Sequence, residues 1–232
     1  IKHRCTIDTW YNQVNSNANV TQSTFDEQPG IIHDGAVLVG GARFGFEVQE
    51  DDESQFNGDR LASADGVIKL GNHDAAHTFV SVITPHNSSA AEGYIGGTAT
   101  DDGAAGSSLY LDISGSNYNA HITNKNSVAK AKSNVASATS VNSQMLLTAS
   151  YNDQTTAIRK NGDGSGQIGS TTYDFNANGN TQFVLGNRDN KPADDAATAY
   201  KGDIQEFILF DTDKSGLFTT IETNAMEAFS IS

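Results

Sequence analysis

The stretch Asp203-Ile-Gln-Glu-Phe-Ile-Leu-Phe210 decides the fold class of this chain. Its isoleucine, leucine and phenylalanine residues give one apolar face and a half-apolar second face, which is typical of a strand packed between two layers. A tight acidic turn over residues 211–216 follows, and then an amphipathic segment, Leu217–Phe229, with apolar residues at spacings of three and four. A strand closed by one helix, after a long series of strands and turns, predicts an all-β sandwich.

Strand candidates recur along the rest of the chain between turns rich in glycine and asparagine. Most of them alternate apolar with small polar residues, so one face is expected to be packed and the other solvated. Asn161-Gly162 is the best hairpin turn, because both residues tolerate a positive φ. Ala129–Ala138 is interpreted as a strand-and-loop region. The other candidates are Phe44–Val48, Val67–Leu70, Thr78–Thr84, Leu109–Ile113, Met145–Tyr151, Thr155–Arg159, Gln167–Thr172 and Gln182–Leu185.

Composition limits the classes of function. The 232 residues include 28 acidic and 14 basic ones, a formal net charge of −14, which argues against a nucleic-acid partner because few cations are present to neutralise phosphates. The single cysteine, Cys5, excludes an internal disulfide, and no segment has the length of a transmembrane span. Sandwiches often reach this length as one unit, so we expect one domain over residues 1–232. Since the chain starts at Ile1, we also expect it to be the C-terminal part of a longer protein.

Three segments resemble the concanavalin A-like lectin/glucanase superfamily, in its laminin-G-like branch. Residues 9–32, which begin Thr-Trp-Tyr-Asn-Gln, are similar to the "TWYDQSGNGNDATQ…QP-I" run of laminin-G-like domains in phage tail and virion proteins and of arabinofuranosidase-B-like domains. Asn12 replaces the usual Asp, and Val14-Asn15 replaces Ser-Gly. Val80–Pro85 resembles an early strand of these domains, and residues 183–229 resemble the two closing strands and the terminal helix. The resemblance implies a two-sheet antiparallel jelly-roll sandwich with a short C-terminal helix.

The resemblance also bears on catalysis. Glucanases of this superfamily carry Glu-x-Asp-x-x-Glu on a strand, with one Glu as nucleophile and the other as acid. The nearest match here is Lys201-x-Asp203-x-x-Glu206, and a lysine cannot serve as that nucleophile. The acidic run over residues 47–53 is interpreted as a solvated loop. We therefore assign no catalytic residue, and the chain is expected not to be an enzyme.

The turn after the closing strand has the spacing of a calcium loop. Asp211, Asp213, Ser215 and Glu222 supply oxygens at the positions that such a loop uses, with Gly216 for the turn. A strand precedes the turn, however, where an EF-hand has a helix. Residues 219–222, Thr-x-x-Glu, also read as a capping box at the start of the last helix. We favour the cap, with calcium at these four residues as the alternative and no other cofactor.

A glycan is the ligand class that the resemblance favours, since laminin-G-like domains bind through loops at one rim of the sandwich. The expected contacts lie in a polar segment with amide, carboxylate and aromatic groups, namely Asn187, Arg188, Asp189, Asn190, Asp194 and Tyr200. We expect a non-catalytic recognition or structural module on a virion surface or a cell surface, as a phage fibre or decoration protein or an adhesin. Its partners would be a surface glycan and other subunits of the assembly, without membrane insertion. Two alternatives stay open: a polysaccharide hydrolase or lyase whose carboxylates are unidentified, and an architectural subunit.

Overall fold

In the described residues, the computed structural model has sixteen strands and one α-helix, in this order along the chain. The described residues are 5–11, 13, 18–24, 28–33, 36–37, 41–44, 59–64, 67–68, 76–86, 92–98, 106–112, 117–123, 130–136, 142–152, 155–163, 169–170, 182–187 and 199–231. The elements are β1 (Thr9–Trp10), β2 (Val20–Thr21), β3 (Ile32–His33), β4 (Ala36–Val37), β5 (Ala42–Phe44), β6 (Leu61–Ala62), β7 (His77–Pro85), β8 (Glu92–Gly97), β9 (Gly106–Asp112), β10 (Asn117–Thr123), β11 (Lys130–Ala136), β12 (Met145–Asn152), β13 (Thr155–Lys160), β14 (Gly169–Ser170), β15 (Val184–Leu185), β16 (Gly202–Phe210) and α1 (Phe218–Phe229).

The strands form two large antiparallel sheets and one small one. The eight-stranded sheet has the order β1-β2-β6-β15-β8-β9-β10-β11, and the six-stranded sheet has the order β14-β13-β12-β7-β16-β5. Strands β3 and β4 pair with each other. The two large sheets and the single C-terminal helix form the all-β jelly-roll sandwich that the sequence predicted.

A hydrophobic core lies between the two sheets. Residues of the six-stranded sheet, such as Phe79, Ile83 and Ile204, share one buried cluster with Ile95 and Leu185 of the eight-stranded sheet. The sheets approach closely beside Gly96, where an added Cβ would lie 2.7 Å from Cε2 of Phe207. A side chain larger than hydrogen at position 96 would therefore push the sheets apart.

Helix α1 covers the outer face of the six-stranded sheet. Val80, Val82 and Leu146 form a second buried cluster, and the apolar side of α1 packs on it with Ile221 and Met226 among its members. Strand β7 thus alternates between two apolar environments, the core and the helix. This is why both faces of its central part carry apolar residues, Phe79 and Ile83 toward the core and Val80 and Val82 toward the helix.

All but one of the strand predictions overlap a strand of the structure. Thr78–Thr84 and Met145–Tyr151 lie within β7 and β12. Val67 and Ile68, by contrast, lie in a turn and a bend, so the strand predicted from Val67 is wrong at its start. Strands β8 and β10 were not predicted, and β11 occupies most of the region interpreted as strand and loop.

The predicted turn at Asn161-Gly162 is confirmed. Asn161 has a φ of 49° and Gly162 a φ of 75°, and the amide of Asp163 donates to the carbonyl of Lys160 at 2.9 Å. Two successive residues with positive φ are the signature of the tight turn that matches the twist of a hairpin.

Candidate functional site

Four polar residues from separate parts of the chain meet on the outer face of the six-stranded sheet, and we call them the polar cluster. They are Arg43 of β5, His86 directly after β7, Asn142 ahead of β12, and Asp203 of β16. Asp203 lies opposite Thr84 in the register of β7, two positions from Val82, which is under helix α1. The polar cluster and the helix therefore occupy the same outer face of the sheet.

Both carboxylate oxygens of Asp203 accept hydrogen bonds from the guanidinium of Arg43. Nε of Arg43 donates to Oδ1 at 2.6 Å, and Nη2 of the same guanidinium donates to Oδ2 at 2.9 Å. Nε2 of His86 lies 2.9 Å from Oδ2 of Asp203 and 3.1 Å from Nη2 of Arg43. On the far side of the imidazole, Nδ1 lies 2.8 Å from Oδ1 of Asn142. The two-point contact between a planar guanidinium and a carboxylate fixes the geometry of the polar cluster.

The neighbours of Asp203 in the polar cluster set the ionisation state of its carboxyl group. Burial raises the pKa of this carboxyl, but hydrogen bonds and charges from Arg43 and His86 outweigh burial and hold the pKa below its ordinary value. An ionised carboxylate accepts hydrogen bonds and does not donate a proton. Asp203 is therefore suited to accept hydrogen bonds at neutral pH and unsuited to protonate a leaving group.

A β-bulge in β16 determines which face of the sheet each residue of the Lys201-x-Asp203-x-x-Glu206 motif occupies. In a regular strand, residues three apart point to opposite faces. The register of β16 against β7 shifts between Ile204 and Glu206, so that Glu206 lies opposite Val82. Asp203 and Glu206 therefore share the outer face, away from the core between the sheets.

Beneath helix α1 lies a second ionic cluster, which we call the helix anchor. Glu222 of α1 is 1% exposed, and its Oε1 accepts from Nε of Arg159 at 2.9 Å and from Oγ1 of Thr148. Its other oxygen, Oε2, has no hydrogen-bond partner among the described residues. Glu222 thus ties the helix to strands β12 and β13.

The predicted capping box at Thr219 and Glu222 is wrong. The N-cap position of α1 is Leu217, and no side chain caps the helix there. A turn of 3-10 helix at Ser215–Leu217 leads into α1 and shifts its register relative to the capping pattern. As a result Glu222 faces the sheet, where Arg159 is its partner.

The residues predicted to bind calcium are differently placed. Asp211 and Ser215 are exposed, and the carboxylate of Asp213 accepts from the amide of Ser215 at 2.8 Å and from Nδ2 of Asn152 at 2.8 Å. Glu222 is engaged by Arg159 in the helix anchor. In the part of the chain that the structure describes, no group of three or more His, Cys, Asp or Glu could hold a metal ion.

No family model and no curated protein matches this sequence, but solved structures do. A structure of botulinum neurotoxin type C, whose cell entry depends on two ganglioside molecules, matches with a TM-score of 0.58 at 13% identity over 95% of this chain and 51% of that chain. Domains LG4-5 of the mouse laminin α1 chain match with 0.52 at 12% identity, over 79% of this chain and 44% of that one. Tailspike protein 2 of Escherichia coli O157:H7 bacteriophage CAB120 matches with 0.51 at 11% identity, over 78% and 24%. The chain has the concanavalin A-like sandwich fold. It spans about half of the first of these chains and less of the other two.

In this concanavalin A-like sandwich, two of the predicted sugar-binding residues are not at the surface. Asn187 and Tyr200 are each 1% exposed, and Tyr200 belongs to the core between the sheets. Both side chains are therefore buried where a sugar contact would need them at the surface, and the ring of Tyr200 fills space beside Gly202. The other four predicted contacts, Arg188, Asp189, Asn190 and Asp194, lie outside the described residues.

Sequence reasoning missed Arg43, His86 and Asn142. Arg43 lies 160 positions and His86 lies 117 positions from Asp203 along the chain, and Asn142 lies 56 positions from His86, so no local motif joins them. The one local signal is Arg43 itself, a charged residue between Ala42 and Phe44, both of which are fully buried. A charged side chain between two buried neighbours in a strand points to the outer face of the sheet and is expected to have a partner of opposite charge there. Among the described residues, no helix has the length and apolarity needed to cross a membrane.

Proposed function

We propose that this chain is a non-catalytic recognition module on an exposed surface and that it binds a glycan. Its setting would be a virion, as a phage fibre or decoration domain, or a cell surface, as an adhesin. Its partners would be a surface glycan and other subunits of the same assembly.

The state of Asp203 carries this proposal. Hydrolysis of a glycosidic bond requires one carboxyl that protonates the leaving oxygen and a second carboxylate that attacks or activates water. In the strand that resembles the glucanase motif, Arg43 and His86 hold the pKa of Asp203 low, and Lys201 occupies the nucleophile position. An ionised carboxylate cannot protonate a leaving oxygen, and this supports recognition of a glycan over its hydrolysis.

The proteins of similar fold support a surface role. Botulinum neurotoxin type C interacts with gangliosides, and a second structure of this fold is the binding domain of botulinum neurotoxin DC in complex with rat synaptotagmin II, with a TM-score of 0.58 at 12% identity. A phage tailspike and a laminin chain share the fold as well. The fold alone is common to these proteins and this chain, so the glycan and the surface location are parts of the proposal.

The predicted rim segment stays a proposal for the place of glycan contact. Because Asn187 and Tyr200 are buried, the contacts would come from Arg188, Asp189, Asn190 and Asp194. Guanidinium, amide and carboxylate groups are the groups that hydrogen-bond sugar hydroxyls.

A glycan array with the 232-residue chain, followed by an assay for released reducing ends on the same glycans, tests the proposal. We expect binding of at least one glycan class, weakened by a combined Arg188→Ala and Asp189→Ala change, and no release of reducing ends. Release that is abolished by Glu206→Gln, the second carboxylate on the outer face, would show that the chain is a hydrolase. Absence of binding across the array would favour the architectural alternative.

A further inference from the structure

One aromatic side chain stands out on the surface of the eight-stranded sheet. Tyr11 is 66% exposed, the largest exposure of any large hydrophobic residue in the described ranges. Its neighbour Trp10 is partly buried and packs against the core between the sheets. Adjacent residues of an extended chain point to opposite faces, so the inward position of Trp10 directs Tyr11 outward.

The backbone that carries Tyr11 is tied down on both sides. Trp10 pairs with Val20 and Thr9 with Thr21, which joins β1 to β2 at the edge of the sheet. The amide of Gln22 donates to the carbonyl of Asp8 at 2.9 Å, and Nε2 of Gln13 donates to the carbonyl of Tyr11 at 3.3 Å. A ring on a fixed backbone loses little conformational entropy when a ligand contacts it.

Around Tyr11 the surface is polar and nearly uncharged. Gln13 and Thr21 are exposed, Thr21 pairs with Thr9 two positions before Tyr11, and Asp8 is the only charged residue of the described residues 5–11, 13 and 18–24. The whole chain has 28 acidic and 14 basic residues, so this surface differs from its average. Hydroxyl and amide groups beside a flat ring suit a ligand that is uncharged and has both an apolar face and many hydroxyls.

From these observations we infer that Tyr11 is the stacking platform of a binding site for a neutral saccharide, with Gln13 and Thr21 next to it as hydrogen-bonding groups. The inference rests on the proposed glycan-binding function and adds to it a place and a sugar class. The C–H face of a pyranose ring covers the Tyr11 ring, while its hydroxyls meet the surrounding side chains. The edge position of β1 leaves the approach to the ring open among the described residues.

Binding of neutral gluco-, galacto- and manno-oligosaccharides and of their sialylated counterparts, measured by titration calorimetry with the 232-residue chain, tests this site. Tyr11→Ala should raise the Kd for the best neutral ligand by about tenfold or more, the effect expected of an aromatic anchor. Tyr11→Phe keeps the ring and should change the Kd by less than about threefold, well under the cost of removing an anchor. Leu217→Ala is the matched control, because Leu217 is 54% exposed but lies at the start of α1, which packs on the six-stranded sheet.

The possible outcomes distinguish a failure of the Tyr11 site from a failure of the proposed glycan-binding function. If neutral sugars bind and Tyr11→Ala leaves the Kd unchanged, the site is wrong and the glycan-binding function stands. Preferential binding of the sialylated ligands through Tyr11 would overturn the assignment to neutral sugars. If no saccharide binds, the proposed function fails and the site fails with it. Equal thermal midpoints for wild type and Tyr11→Ala would show that the substitution acts on binding and not on folding.

Discussion

The two ionic clusters on the outer face of the six-stranded sheet differ in what covers them. In the helix anchor, the side chain of Glu222 is 2% exposed and has one cationic partner, Arg159. In the polar cluster, the side chain of Asp203 is 15% exposed and has two partners, Arg43 and His86. The carboxylate of Glu222 depends on one cation under a helix, and that of Asp203 has a guanidinium and an imidazole as partners and is closer to water.

The difference in burial predicts which ion pair the fold needs most. A buried pair contributes little net stability, because desolvation offsets the attraction, yet removal of one partner leaves an uncompensated buried charge. A pair near water loses less, because the remaining charge is hydrated. We therefore interpret the helix anchor as the element that fixes how α1 lies on the sheet, and the polar cluster as a preorganised surface feature.

The largest effect should come from the helix anchor. Arg159→Ala leaves the Glu222 carboxylate buried without its cation, so the free energy of unfolding should fall by about 3–5 kcal/mol, as measured by urea denaturation at neutral pH. The combined change Arg159→Met and Glu222→Leu removes both charges and should cost less than about 1 kcal/mol. A single variant as stable as the double variant would show that Glu222 does not need its partner.

Asp203→Asn should have a smaller and pH-dependent effect. The change removes the hydrogen bonds of the ionised carboxylate with Arg43 and His86. The free energy of unfolding should fall by about 1–2 kcal/mol at neutral pH, near the lower end of the range for hydrogen bonds to charged groups, because water reaches the site. The pKa of Asp203 is lower in the folded chain than in the unfolded chain. Its ionised form thus stabilises the fold above the unfolded pKa, and this contribution is lost as the pH falls through the folded value. The wild-type advantage over Asp203→Asn should shrink below about pH 4. An advantage that stays constant down to pH 2 would exclude the ion pair as its source.

Two threonines near Glu222 make a finer comparison. Thr148→Ala removes a buried hydrogen bond to the helix anchor and should lower the free energy of unfolding by about 1 kcal/mol. Thr219 is exposed and caps nothing, so Thr219→Ala should change it by less than about 0.5 kcal/mol. A capping box would give Thr219→Ala a cost of about 1 kcal/mol. Denaturation of the two variants side by side decides between these expectations.

The smallest expected effect is that of calcium removal. Glu222 is engaged by Arg159, which leaves the loop of Asp211, Asp213 and Ser215 without the carboxylate at its twelfth position. The melting temperature should therefore not respond to a chelator, since a ligand stabilises a protein only by binding its folded state. A melt that is sensitive to chelator and becomes insensitive in Asp213→Ala would establish calcium at this loop.

The sequence predicted the elements whose apolar pattern is set by two layers of packing. Strands β7, β12 and β16 and helix α1 follow from residue spacing, because burial on a face requires apolar residues at a fixed period. Strand β8, Glu-Gly-Tyr-Ile-Gly-Gly, was missed because its three glycines read as turn, although Gly96 is needed for close approach to Phe207. Tertiary packing overrode local propensity there.

The sequence by itself therefore determined the fold class, the closing strand and helix, and the turn at Asn161-Gly162, since each follows from chemistry within a few residues. The tertiary structure alone decided that Arg43, His86 and Asp203 meet, that Tyr200 is buried, and that Glu222 binds Arg159 in place of a cap. The physical reason is that a contact between residues far apart in the chain depends on strand register, and a single bulge or an added turn of 3-10 helix changes which face a side chain occupies.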